Sequence, residues 1–263
     1  MPKYLLAVAI VLALLAVLRF LRWRRMRKLA AGILNDLERI HVPRHEYRPA
    51  NPGDFPHVDQ DFYDGNSAFL SQNGFRFLAD MENVTVNAAC HVVRTYIRTM
   101  LADDGTTAVS LYDPRRAPEP GQPAVEAVTK LGGVADFGTD FTDGTFIGTS
   151  NAPDADVWEL PPQMQTEHLG ADATLTELIV RHAERVVQYA DERPDAHPVV
   201  FHSLEDVLAS AQQTQAVRAA HRRSLGMITR EELRRLAGGR QGFADELYAE
   251  IQRLRAKRRP AGE

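Results

Sequence analysis

Cysteine is almost missing from this chain of 263 residues: Cys90 stands alone. No intramolecular disulfide can form, so a reducing compartment is allowed. Glycine (17 residues) and proline (15 residues) are too scarce for collagen or a low-complexity chain. At 44% hydrophobic residues, a wholly disordered chain is excluded as well. Catalytic signatures are also lacking. The chain has no GxSxG, no P-loop, no GxGxxG, no HExxH and no CxxC pair. Gly132-Gly133 is an isolated pair without a phosphate-binding context. No cofactor is implied.

Long apolar runs are missing too, with one exception. Tyr4 to Leu18 reads YLLAVAIVLALLAVL, and after Arg19 the apolar character resumes at Phe20, Leu21 and Trp23. A helix needs roughly 20 residues to cross about 30 Å of hydrocarbon. The run reaches that length if Arg19 turns its guanidinium toward the headgroups. A cleaved signal peptide would need a small-x-small site after the core, whereas here the core meets LRFLRWRRMRK. The expectation is a single transmembrane helix. Arg19, Arg22, Arg24, Arg25, Arg27 and Lys28 would set its topology and meet lipid headgroups. That predicts an inner (plasma) membrane protein with the amino terminus outside and the body in the cytoplasm. The arrangement looks like that of bacterial inner-membrane proteins.

Beyond the run, Leu29, Ile33, Leu37 and Ile40 repeat at helical spacing. This stripe needs a partner, either the body of the protein or a second copy of the same helix. Residues 1–40 read as anchor and juxtamembrane helix. Residues 41–74 read as a Pro-rich, acidic lead-in, with Pro43, Pro49, Pro52 and Pro56 close together. DQDFYDG, from Asp59, has a superficial likeness to a calcium loop. Its third acid and its glycine come one residue late, and position 12 is Leu70, so a solvated turn is the better reading.

Residues 75–200 read as an α+β domain. HVVRTYIRTML (91–101) is followed by Asp103-Asp104-Gly105 and TTAVSLY, a hairpin pattern. VADFGTDFT, Asp143-Gly144 and TFIGTS repeat that grammar. In the second hairpin Phe137, Thr139 and Phe141 share one face, with Asp136 and Asp140 opposite. FRFLADMENVTV (75–86) is a further strand candidate, and HPVVF (197–201) a short one. RRAPEPGQP (115–123) reads as a loop.

The rest turns helical. Thr174 with Glu177 and Thr229 with Glu232 are capping boxes. Ser203 can cap a helix running to about Arg223, Gly238-Gly239 is a stop, and a last helix covers about 243–258. Residues 201–263 thus form a helical region. The fold class expected is α+β: a transmembrane helix, an antiparallel β-hairpin sheet, then C-terminal helices.

Candidate chemistry is sparse. His182 lies on a helical apolar stripe, where a histidine normally makes internal hydrogen bonds. His182, His202 and His221 could be gathered by folding into a metal site, but their spacing carries no ligand signature. Cys90-His91 resembles a nucleophile beside its base, yet neighbours on a strand point to opposite faces. Asp136 and Asp140 stand about 13 Å apart on an extended strand, too far for an acid/base couple.

The net charge of −4 hides an uneven order. Residues 1–50 hold 10 basic and 3 acidic side chains, and residues 215–263 hold 12 and 6. That leaves 9 basic and 26 acidic ones for residues 51–214. An acidic middle between basic ends implies a partner that is basic rather than nucleic acid. The basic tail RLRAKRR lacks the interleaved aromatics of a nucleic-acid site. The function expected is a membrane-anchored protein-interaction module whose partners are the bilayer, a protein and a second copy of the anchor helix. The alternative is a membrane-tethered, metal-assisted hydrolase using His and Asp.

Overall fold

Period-2 alternation and two Asp–Gly turns organise the centre of the molecule. The computed structural model describes residues 2–89, 92–116, 129–130, 133–152 and 157–258. The side chains of residues 1–13, among others, are outside what is described. The chain divides into two compact units, one of Met1–Glu38 with Arg222–Glu263 and one of Arg39–His221.

The second unit carries a seven-stranded sheet. Its strands are β1 (Tyr47–Pro49), β2 (Phe75–Asn83), β4 (Ile97–Ala102), β5 (Ala108–Tyr112), β8 (Val134–Asp140), β9 (Phe146–Ser150) and β10 (Met164–His168). They lie in the order β1-β2-β4-β5-β8-β9-β10. Three two-residue strands, β3 (Val92–Val93), β6 (Arg115–Arg116) and β7 (Thr129–Lys130), form a small second sheet.

Both hairpins form as the sequence predicts. Gly105 (φ +78°) and Gly144 (φ +86°) take the left-handed backbone that their turns require. The two hairpins lie side by side because β5 pairs with β8. One face of the sheet is apolar. Met100, Val109, Leu111, Ala135 and Phe137 pack there with Tyr63 and Leu70 of α2 (Gln60–Gln72) and Leu178 of α4 (Leu175–Glu192). The opposite face lies toward α5 (Leu204–Ser224), from which Ser210 bonds to Asp140.

Several expectations are corrected. The sheet is mixed rather than a pure hairpin array, because β10 joins β9 in parallel. A parallel neighbour requires the chain to cross back between strands, which no hairpin turn announces. The strand read at 91–101 is broken: Val92–Val93 belong to the small sheet, and β4 begins only at Ile97. Residues 84–89 are a short helix, α3, not strand. Only an isolated bridge, Phe141 to Pro198, remains of the strand read at 197–201. The DQDFYDG segment opens α2, with the Asp59 side chain accepting the Phe62 N–H as N-cap.

The membrane anchor is corrected as well. Helix α1 runs unbroken from Pro2 to Ile40. Among the described residues, no helix is long and apolar enough to cross a membrane. From residue 14 on, α1 carries six cations between Arg19 and Lys28. Further along it buries Ala30, Leu34 and Leu37. Most of the expected span, Tyr4–Leu18, falls among residues whose side chains are not described. The single-pass anchor, and the inner-membrane placement and orientation drawn from it, are not supported.

The first unit adds α6 (Arg230–Leu236) and α7 (Gln241–Arg258) to α1. Arg22 pairs with Glu246 at 2.7 Å, and Arg258 with Glu38 at 2.5 Å. The capping boxes at Thr174 and Thr229 are both formed.

Candidate polar cleft beneath helix α5

Strand register builds the site. On the face toward α5, Ser110 stands opposite Asp136, Asp136 opposite Ser150, and Ser150 opposite His168. One polar row therefore crosses β5, β8, β9 and β10. The next row is Ala108, Gly138, Gly148 and Thr166, and beyond it lie Asp140, Phe146 and Met164. Alternation on β8 produces this arrangement. Ala135, Phe137 and Thr139 go to the core, which leaves Asp136, Gly138 and Asp140 on the other face.

The glycine pair has a steric purpose. A Cβ on Gly138 or on Gly148 would lie 2.8 Å from the Phe146 ring. A Cβ on Gly148 would also lie 2.8 Å from Thr166 Oγ1. The ring thus rests directly on the backbone of β8 and β9, as aromatic side chains do over strand glycines.

Asp136 is the centre of the polar row. The Tyr112 hydroxyl donates to its Oδ2 at 2.8 Å, and the Ser150 hydroxyl donates to Oδ1. Burial raises the Asp136 carboxyl above its ordinary value, opposed by these two hydrogen bonds and by the charge of Arg218. Tyr112 is pushed well above the usual phenol value, first by burial and then by the charge of Asp136.

Arg218 reaches this site from α5. Its Nε donates to the thioether of Met164 at 3.4 Å. Burial lowers its ordinary value, and the charges of Asp136, Tyr112 and Tyr47 work the other way. Among the described residues it forms no ion pair with a carboxylate. Two further polar atoms on this sheet face, Thr166 Oγ1 and His168 Nδ1, are buried without a hydrogen-bond partner. Buried polar atoms are nearly always satisfied, so these two are exceptions on the sheet face that carries Asp136.

A cavity of about 450 Å³ opens over the row of Asp140, Phe146 and Met164, and neither the Asp136 row nor Arg218 lines it. Phe146, Met164, Val199, Phe201 and Val217 line it, with Asp140 and Ser210.

The residues singled out by sequence are distributed differently. His182 is a core residue between Thr139 (3.0 Å) and Thr149 (3.1 Å), and burial lowers it to about 4. His202 is exposed, and His221 lies 3.9 Å from Glu159. The three do not meet. Among the described residues, no three His, Cys, Asp or Glu side chains gather closely enough to hold a metal ion. Asp140 stays two rows from Asp136, and Asp143 accepts from the Tyr189 hydroxyl at 2.6 Å in its turn. Cys90-His91, and residues 117–123 of the Pro-rich loop, lie outside the described residues. In the basic stretch of α1, Arg22 pairs with Glu246, Arg27 lies 4.0 Å from Glu250, and Arg24 lies over the Phe20 ring. Arg19, Arg25 and Lys28 are exposed.

Sequence reasoning missed Ser150, His168, Tyr112 and Arg218. The one signal available was an Asp on the polar side of β8; the rest depends on which strands lie side by side. Neither a protein-family model nor a curated protein nor a solved structure matches this chain.

Proposed function

We propose that the Arg39–His221 unit is a recognition module that takes an anionic group of its ligand against Arg218. One observation carries this reading: the enclosed guanidinium has a thioether, a weak acceptor, as its direct hydrogen-bond partner. A partly desolvated cation without a carboxylate at contact distance is disfavoured, and an anionic ligand would offset that. Asp136 does not serve in that place. Its charged form is itself disfavoured by burial, and its oxygens already accept from Tyr112 and Ser150.

Recognition fits the row better than catalysis. In a nucleophilic triad the histidine lies between the serine and the acid. Here Ser150 donates directly to Asp136, and His168 stands on the other side of Ser150 with Nδ1 unpartnered. No chain of hydrogen bonds runs from serine through histidine to acid. The summed charge of residues 51–214 favours a basic partner, but at this site the local cation governs what can enter.

The test is calorimetric titration of the full chain with acetate, phosphate and octanoate, alongside the Arg218→Met variant. Saturable binding of at least one anion, lost in the variant, supports the reading. Equal binding by both proteins, or none by either, overturns it.

A further inference from the structure

The cavity over the row of Asp140, Phe146 and Met164 has a chemistry of its own, separate from the Asp136 row. One side of α5 forms a wall of it, where Asp206, Ser210, Gln213 and Val217 recur at helical spacing. Val199 and Phe201 form another wall. They are held to the sheet by the N–H of Val199 on the Asp140 carbonyl and the N–H of Phe201 on that of Gly105. Asp140, Phe146 and Met164 are direct neighbours across β8, β9 and β10. Strands lie about 4.8 Å apart, so this row is about 10 Å long, with a carboxylate at one end and a thioether at the other.

The charges on this cavity are of one sign. Among the described residues that line it, Asp140 and Asp206 are acidic and none is Lys or Arg. Asp206 is exposed, and its Oδ2 already accepts the N–H groups of His202 and Ser203 at the start of α5. Asp140 is half-buried. Its Oδ2 accepts the Ser210 hydroxyl, and its Oδ1 has no partner among the described residues. Burial raises the Asp140 carboxyl above its ordinary value, opposed by the Ser210 bond, so the charged form is desolvated with no cation beside it. Arg218 touches Met164 without lining the cavity, which puts its charge at the end away from Asp140. Both charges act in one direction: a cation in the cavity is drawn to Asp140 and kept from the Met164 end. A volume of about 450 Å³ is in the range of small-molecule sites and too small for a folded partner.

We propose that this cavity binds a small primary amine with an apolar body, its ammonium on Asp140 and its body along the Phe146 ring toward Met164. The site is independent of the anion recognition at Arg218. An ammonium suits the head because it has three donors and no acceptor. Asp140 Oδ1 takes one of them, and Gln213 and Thr214 supply further acceptor oxygens on the cavity wall. An apolar body suits the rest because Phe146, Met164, Val199, Phe201 and Val217 line it, so water is displaced from apolar surface on both sides. The 10 Å row sets the length: about six carbons reach from Asp140 to Met164.

The experiment is a calorimetric titration of the full chain at pH 7 with ethylamine, butylamine and hexylamine, with hexanol and hexanoate as controls for the head. Nα-acetyl-lysine methylamide tests the other source of an alkylammonium, a lysine side chain. Affinity is expected to rise up to roughly fourfold per added methylene, the transfer free energy of a buried CH₂. Hexanol and hexanoate should bind at least tenfold more weakly than hexylamine. Asp140→Asn keeps an oxygen for the Ser210 hydroxyl and removes the charge, so it should weaken hexylamine at least tenfold and leave hexanol unchanged. Val217→Phe, which fills the cavity, should abolish the gain from chain length. Hexanol or hexanoate equal to hexylamine overturns the head, as does an Asp140→Asn protein that binds hexylamine as the natural chain does. Ethylamine binding as tightly as hexylamine overturns the body. The lysine derivative binding more tightly than butylamine overturns the free amine in favour of a side chain. Absence of binding by every amine overturns the site. The ligand series on the natural chain decides the matter even if neither variant folds.

Discussion

Arg218 Nε meets the sulfur of Met164 at 3.4 Å, so an enclosed guanidinium rests on a thioether and not on a carboxylate. Such a placement lowers stability, and proteins retain costly polar groups mainly where function uses them. Arg218→Met is therefore expected to raise the melting temperature, by an amount equivalent to about 1–3 kcal/mol. Thermal unfolding of both proteins checks this. A destabilised variant means that Arg218 holds the fold together and is not kept for a ligand.

His182 makes stability depend on pH in mild acid. Its ring is buried and neutral in the folded protein, lowered to about 4 chiefly by burial and then by the charge of Arg185. In the unfolded chain it takes a proton near 6.5. The unfolded state thus binds the proton first as pH falls. Stability from this residue is complete above pH 6.5 and is lost progressively down to about pH 4, by about 3 kcal/mol in all. His182→Gln keeps one donor and one acceptor for Thr139 and Thr149. Chemical denaturation at pH 7, 5.5 and 4.5 should show a weaker decline in the variant.

Gly148 is expected to tolerate no side chain while Phe146 lies on it. A Cβ there would come within 2.8 Å of both the ring and Thr166 Oγ1. Gly148→Ala should cost about 1–3 kcal/mol by overpacking. Combined with Phe146→Ala, the alanine should cost less than it does alone. A double-mutant cycle from denaturant titrations measures this coupling, and strict additivity would contradict the contact.

In the unit of α1, α6 and α7, Arg222 and Glu232 form a buried pair at 2.5 Å. Glu232 also accepts the N–H of Thr229, closing the capping box of α6. Glu232→Ala leaves the guanidinium without this carboxylate and opens the box. It should cost about 3–5 kcal/mol, as removal of one member of a buried pair does. Glu231→Ala, on the exposed side of the same turn, should cost under about 1 kcal/mol. Melting curves of the two variants provide the comparison.

The two hairpins, the capping boxes and the polar face of β8 were legible because each depends on neighbours in sequence. Asp103-Asp104-Gly105 and Asp143-Gly144 specify their turns through left-handed glycines. Thr174 and Thr229 bond three residues ahead. Tyr4–Leu18 by itself suggests a membrane span, but it is one part of a longer helix. The same rod continues through six cations to the buried residues Ala30, Leu34 and Leu37. The histidines misled for a related reason. Spacing cannot tell that His182 ends between two threonines on the core side while His202 stays exposed.

What the sequence determined by itself is the alternation that sends Phe137 and Asp136 to opposite faces, the turns that reverse the chain, and the helix starts. Each follows from backbone geometry acting over a few residues. The cleft was decided by tertiary structure. Ser150 and His168 become neighbours only through the parallel pairing of β9 with β10, and the charge of Arg218 reaches Asp136 from α5, far along the chain. Nothing local distinguishes that arginine from its neighbours on α5. Its chemistry comes from burial, and burial depends on which distant elements come together.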